Sequence, residues 1–272
     1  MSQISRKQPT LSNAGPPQGA KAHSGGSAVH PVTSVGALSL QRTRIKICGL
    51  TREQDVDAAV AAGADAVGFV LYEKSPRYVS PQRAAELARR LPPFVTPVLL
   101  FVNEQATKII ATCEMMAGAT VQFHGEETLQ QCMDATHQGA RPFLRAARIP
   151  LGAAGGGFDL VKYASDYSKA QAILLDAHVD GYGGGGQTFN WSLLPPNVNA
   201  HLVLSGGLNA ANVIDGIVQV RPRCKTLAVD VSSGVEVSGP GNKGIKDPEK
   251  INQFVAAVRA ADQQLAEMSK HV

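Results

Sequence analysis

From Arg44 onward one two-part unit recurs: a short run rich in β-branched and apolar residues, a polar turn, then a segment with helical apolar spacing. Eight such runs read as strands, at Arg44–Leu50, Ala66–Tyr72, Thr96–Asn103, Thr120–His124, Pro142–Ile149, Ala172–Ala177, Leu202–Gly207 and Thr226–Ser232. Helices are expected at Arg52–Ala62, Pro81–Arg90, Glu104–Met116, Glu126–His137 and Asn209–Val220, and Pro248–Met268 closes the pattern. Ser80 before Pro81 and Thr51 before Arg52 supply a capping oxygen, and Pro81 a preset first helical turn. Several strands are unbroken apolar runs, as at Val98–Val102 and Ala172–Leu175. Strands covered on both faces look like this, which implies a parallel sheet. Eight strands alternating with helices over roughly 230 residues predict an α/β fold of the closed (β/α)8 TIM barrel type, a single domain over residues 43–268.

Barrels of this kind carry their chemistry at the C-terminal ends of the strands, so those ends are where functional side chains are sought. Cys48 stands at the end of strand 1, beside Gly49. It reads either as a small buried hydrophobe or as a base acting through its thiolate. Asp176 follows four apolar residues at the end of strand 6, and it either caps the next loop or does acid–base work. Arg77 lies in the loop after strand 2. It is either a solvated surface residue or a bidentate partner for a carboxylate.

Strands 7 and 8 end in Ser205-Gly206-Gly207 and Asp230-Val231-Ser232-Ser233-Gly234. The alternatives are tight βα turns that need glycine anyway, or a phosphate site in which glycines admit an anion and a helix N-terminus near Asn209 offers N–H groups. Gly206, Gly207, Asp230, Ser232, Ser233 and Gly234 are the expected substrate-binding residues. His124 is a weak candidate, and the glycine run Gly181–Gly186 is either a spacer or a mobile lid.

Residues 1–42 are rich in Ser, Gly, Ala, Pro and Gln without apolar periodicity, and are expected to be a disordered basic extension. Organelle targeting is the alternative, since the stretch has no acidic residue. Residues 1–52 hold seven of the 26 Lys and Arg residues and no Asp or Glu, so the remainder has 19 basic and 22 acidic residues. The net charge of +4 therefore resides in the N-terminal stretch, and a nucleic-acid partner loses its support. Cys48, Cys113, Cys132 and Cys224 are widely spaced, which favours a reducing cytoplasm over disulfides or zinc, with the last three inert. No window is apolar enough to cross a membrane.

Seven segments together carry a resemblance that runs in order from about Arg44 to Phe254. They are Lys46–Thr51, Ser75–Val79, Val121–Gly125, Leu174–Asp176, Gly185–Trp191, Leu204–Leu208 and Asp230–Glu236. The chain resembles phosphoribosylanthranilate isomerase of tryptophan biosynthesis. The resemblance implies an Amadori rearrangement of N-(5′-phosphoribosyl)anthranilate without metal or cofactor. Asp176 would be the general acid, Cys48 the general base, Arg77 the anthranilate clamp and strands 7 and 8 the phosphate site.

Two departures from the family pattern, Gly185 for a usual Thr and Asn190 for a usual Asp, fall beside the site. The expected partner is a phosphorylated small molecule, with the chain a monomer or weak homodimer. The competing readings are another phosphoribosyl barrel or a barrel that only binds. A histidine-pathway isomerase would pair two aspartates at strands 1 and 6, where this chain has Cys48 and Asp176. An indoleglycerol phosphate synthase would rely on Lys and Glu on several strands, and no inward lysine stands out in this sequence.

Overall fold

In the computed structural model, residues 42–151, 157–178 and 188–270 are described. The extension 1–41 and the glycine run Gly181–Gly186 lie outside them. Eight parallel strands form a closed barrel in chain order: β1 (Arg44–Cys48), β2 (Ala66–Val70), β3 (Thr96–Phe101), β4 (Thr120–Phe123), β5 (Phe143–Pro150), β6 (Ala172–His178), β7 (Val198–Leu204) and β8 (Cys224–Val231). Closure comes from β8 on β1, with Lys46 opposite Asp230 and Ile47 opposite Val231. All eight expected strands are present.

The helices are α1 (Glu53–Ala61), α2 (Pro81–Ala88), α3 (Ala106–Glu114), α4 (Leu129–Ala135), α5 (Leu160–Asp166), α6 (Val213–Val220) and α7 (Pro248–Met268). Local chemistry sets several starts. Ser80 accepts from the Arg83 amide ahead of Pro81, and Thr128 and Gln131 close a reciprocal capping box. Asp247 caps α7 by accepting from Glu249 and Lys250.

Three expectations shift. Helix α5 has no counterpart in the sequence reading, because Leu160 is its one fully buried residue and its apolar signal is weak. Between β6 and β7 the described residues hold only a 3-10 turn, Trp191–Leu193. Helix α6 starts at Val213 rather than Asn209, because Asn209 and Asn212 tie the preceding turn together through their own side chains.

Strand alternation sorts the side chains into two cores. Outward residues such as Ile45, Val67, Leu99, Phe123, Leu175 and Val229 pack beneath the helices. Inward residues fill the barrel, with Ala146, Leu174 and Val203 forming an apolar layer. Toward the C-terminal end of the barrel the inward positions become polar: Lys46 and Cys48 on β1, Gln122 on β4, Asp176 on β6 and Asp230 on β8. Residues one strand step apart along a face share an environment, so the pattern of period two delivers these groups to one place.

Candidate active site

A cleft with about 670 Å³ of empty space opens at the C-terminal ends of the strands. Among its lining residues are Cys48, Arg77, Asp176, Gly206, Gly207, Asp230, Ser232 and Ser233. Of the residues picked from sequence, only Gly234 is not among those lining it. It sits instead in the 3-10 turn Ser233–Val235, pressed against the Leu208 backbone.

Cys48 is 4% exposed and shares a hollow with the Lys46 amine, which the missing side chain of Gly68 creates. A Cβ on Gly68 would lie 2.6 Å from Cys48 Sγ and 3.1 Å from Lys46 Nζ. Burial pushes the Cys48 thiol above its ordinary value; the Lys46 ammonium opposes that, while Asp230 adds to it. Lys46 donates to Asp230 Oδ1 at 2.9 Å. Burial works against its charge, but Asp230 and Cys48 hold the amine above its usual value. The Lys46 ammonium, favoured by Asp230, thus stands beside the thiol.

This arrangement has a measurable consequence. Lys46→Met removes the thiol's neighbouring cation and leaves a buried Asp230 without its partner. Truncating one member of a buried pair costs about 3–5 kcal/mol. The variant should therefore melt well below the parent, and Cys48 alkylation should shift to higher pH. An unchanged alkylation profile would show that Lys46 does not act on the thiol.

Arg77 is not the solvated residue that its loop position allowed. It is 6% exposed, and its Nε and Nη2 donate to Glu236 at 2.6 and 2.9 Å. Lys246, buried beneath, donates to Glu236 at 3.0 Å and to the Ser232 carbonyl at 3.0 Å. Burial would raise Glu236, but Arg77 and Lys246 hold it below the usual carboxylate range. Burial in turn pulls the Lys246 amine down. Glu236 fixes the guanidinium plane, while Arg77 Nη1 has no hydrogen-bond partner among the described residues. A fixed guanidinium with one free edge suits a carboxylate ligand.

At the ends of β7 and β8, Gly206 and Gly207 adopt φ values of 79° and 63°, a conformation in which successive amides converge on one point. Among the described residues, the N–H groups of Gly206, Gly207, Ser233 and Gly234 have no hydrogen-bond partner. The unpartnered amides thus lie on this pair of turns rather than at the start of α6, where the Asn209 amide is already bonded to Asn212. Asp230, grouped with these residues in the sequence reading, instead directs its carboxylate to Lys46 inside the barrel.

Asp176 is 8% exposed and bonded to His124, with Nε2 to Oδ2 at 2.9 Å. His124 in turn meets Gln122, Nδ1 to Nε2 at 3.0 Å. His124 was only a weak candidate from sequence, and Lys46, Gln122, Glu236 and Lys246 were assigned no role; the expectation that no inward lysine stands out fails at Lys46, which β1 turns into the barrel onto Asp230. Thr120, Gln122 and His124 were visible as alternating polar residues along β4 and its end, a spacing that turns Gln122 and His124 toward the cleft. Glu236 and Lys246 gave no local signal, because an isolated bridge between their two segments brings them together.

Comparison with known proteins agrees with this geometry. Residues 45–257 match the family model described as N-(5′-phosphoribosyl)anthranilate (PRA) isomerase. The isomerase of that name from Dechloromonas aromatica is 58% identical over 224 residues, covering 82% of this chain and all of the relative. That from Methylibium petroleiphilum is 59% identical over 225 residues, covering 83% and 98%. Among solved structures, the Thermotoga maritima phosphoribosylanthranilate isomerase superposes with a TM-score of 0.68 at 40% identity, covering 80% of this chain and 99% of that one. A second isomerase structure, in complex with reduced 1-(o-carboxyphenylamino)-1-deoxyribulose 5-phosphate, gives 0.65 at 37% identity over 80% and 99%. The chain belongs to the N-(5′-phosphoribosyl)anthranilate isomerase family.

Proposed function

We propose that this chain catalyses the Amadori rearrangement of N-(5′-phosphoribosyl)anthranilate to 1-(2-carboxyphenylamino)-1-deoxyribulose 5-phosphate in tryptophan biosynthesis. The observation that carries the reading is the convergence on one cleft of Cys48 from β1 and Asp176 from β6, strands three places apart around the closed barrel. The barrel, residues 43–268, is the catalytic domain. Its cytoplasmic location is part of the proposal, supported by four free cysteines.

In the first step Asp176 gives its proton to the furanose ring oxygen. The C1′–O bond breaks, and the anilino nitrogen lone pair closes a C1′=N double bond. That cation acidifies the C2′ hydrogen, which the Cys48 thiolate removes. The C2′–H electron pair becomes the C1′=C2′ bond and the nitrogen recovers its lone pair, giving an enolamine that tautomerises to the ketone. Two side chains with opposite proton tasks are what general acid–base catalysis of this sequence requires. Arg77 takes the anthranilate carboxylate through its free edge. The turns at Gly206-Gly207 and Ser232-Ser233-Gly234 take the phosphate.

Turnover of phosphoribosylanthranilate by the purified chain tests the reading, and absence of turnover would sink it. Arg77→Met separates the two anion sites. A charge-assisted hydrogen bond contributes about 1.5–3 kcal/mol, so KM for the full substrate should rise about 10- to 150-fold. Affinity for a phosphorylated sugar lacking the anthranilate ring should hardly change. Equal losses for both ligands would move Arg77 away from the carboxylate.

For assembly we propose a monomer or weak homodimer. A Thermotoga maritima relative is described as dimeric. Here Phe94 is fully exposed at φ 73° on the rim of a cavity at the N-terminal end of the barrel.

A further inference from the structure

The polar line Gln122–His124–Asp176 enters the cleft from β4 and ends on the group assigned as the acid, yet the proposed reaction uses only its last member. Gln122 is wholly buried and His124 is 5% exposed, so the two imidazole nitrogens meet protein groups, Gln122 and Asp176. The tautomer of a neutral imidazole is set by what its two nitrogens meet.

Gln122 presents its amide nitrogen to His124 Nδ1, and its Oε1 has no hydrogen-bond partner among the described residues. As placed, the amide leaves Oε1 and one of its two N–H groups unpartnered among the described residues; reversed, Oε1 would accept from Nδ1–H and both N–H groups would be buried without an acceptor. Orphaned buried N–H groups are the rarer and costlier case. The amide therefore donates. A donor at Nδ1 requires a lone pair there, which puts the proton of neutral His124 on Nε2. That N–H points at Asp176 Oδ2, 2.9 Å away.

The second carboxyl oxygen lies elsewhere. Asp176 Oδ1 faces Gly206, where a Cβ would sit only 2.8 Å from it. The absence of that Cβ leaves Oδ1 room beside the turn that carries the proposed phosphate site.

We propose that Gln122 and His124 are positioning residues: Gln122 fixes His124 as the Nε2–H tautomer, this N–H occupies Asp176 Oδ2, and the proton delivered to the ring oxygen is carried on Oδ1. The proposal rests on the assignment of Asp176 as the acid. Its logic is orientation plus charge placement. With Oδ2 filled by a donor, the carboxyl group presents one face and one proton position to the substrate. When the proton leaves, the same Nε2–H stabilises the carboxylate that forms. An imidazole held with its proton on the wrong nitrogen has cost up to ~10⁴ in rate in a serine protease, so the tautomer is worth fixing.

Imidazole ¹⁵N NMR of the ligand-free enzyme at neutral pH reads the tautomer directly, and the His124 signals are those missing from His124→Gln. The expected pattern is a neutral ring protonated on Nε2. A ring protonated on Nδ1, or on both nitrogens, would overturn the proposal while leaving the isomerase reading untouched. Gln122→Glu replaces the donor by an acceptor of the same shape. It should move a proton to Nδ1 and lower kcat by on the order of 10-fold or more beyond the loss in Gln122→Met, with KM little changed. Equal kcat losses in the two variants, or an unmoved ¹⁵N pattern in Gln122→Glu, would reduce Gln122 to packing. His124→Gln, whose amide N–H can still reach Oδ2, should keep more kcat than His124→Leu. The reverse order would also count against the assignment.

Discussion

Cys48→Ala is expected to fold, to bind the substrate nearly as well as the parent, and to lose about 10²–10⁴-fold in kcat, the range typical of removing a general base. Binding survives because the proposed anion sites lie on other elements. Arg77 is held by Glu236, which Lys246 braces from below, and the proposed phosphate turns end β7 and β8. Stability should change little, since the side chain is small and its apolar neighbours are Val70, Leu100, Val102 and Tyr72.

The pH profile carries a second check. A thiol must lose its proton to act as a base, and burial pushes Cys48 above its ordinary value despite Lys46. The parent's activity should therefore climb as pH rises through neutrality, and the ascending limb should reach into alkaline conditions. Cys48→Ala should lose that limb, whatever activity it retains. A variant with near-normal kcat, or one that keeps the limb, would remove Cys48 from proton abstraction.

Much of this was readable before any coordinates. The barrel was legible because both of its periodicities are local. Apolar runs such as Val98–Val102 mark strands buried on two faces, and capped amphipathic segments such as Ser80–Ala88 mark helices. Knowing the fold then turned the ends of β1 and β6 into a short search that reached Cys48 and Asp176. Helix α5 was not legible, since it fully buries a single residue, Leu160, and so its apolar signal is weak.

The supporting charges were also out of reach, for a different reason. Lys46 sits in a strand where alternation alone does not say whether a lysine enters the barrel or caps its rim. Its partner Asp230 is 184 residues away in the chain. Glu236 and Arg77 are 159 residues apart, and only closure of the barrel joins them. What the sequence could mark were the groups with tasks of their own. The groups that orient and charge them are defined by pairs, and pairs belong to the tertiary structure.

Asp176→Asn tests the reaction at its first step. The variant keeps the shape of the side chain, and its amide oxygen can still accept from His124 Nε2–H in place of Oδ2. What it cannot do is release an acidic proton to the furanose oxygen. Ring opening should then limit turnover, with kcat down by about 10²–10⁴-fold on the ring-closed substrate. Affinity for the reduced open-chain analogue 1-(o-carboxyphenylamino)-1-deoxyribulose 5-phosphate should change little, because that ligand is already open and asks nothing of the proton. This contrast separates a lost acid from a distorted cleft, which would weaken analogue binding as well. Asp176→Glu adds a methylene in a site bounded by His124 and the Gly206 turn, so it should restore acidity but not placement, and recover only part of the loss. Full activity of Asp176→Asn on the ring-closed substrate would exclude protonation by Asp176. The ring would then have to be opened by another group in the cleft, with His124, already within hydrogen-bonding distance of that carboxyl, the next to be replaced.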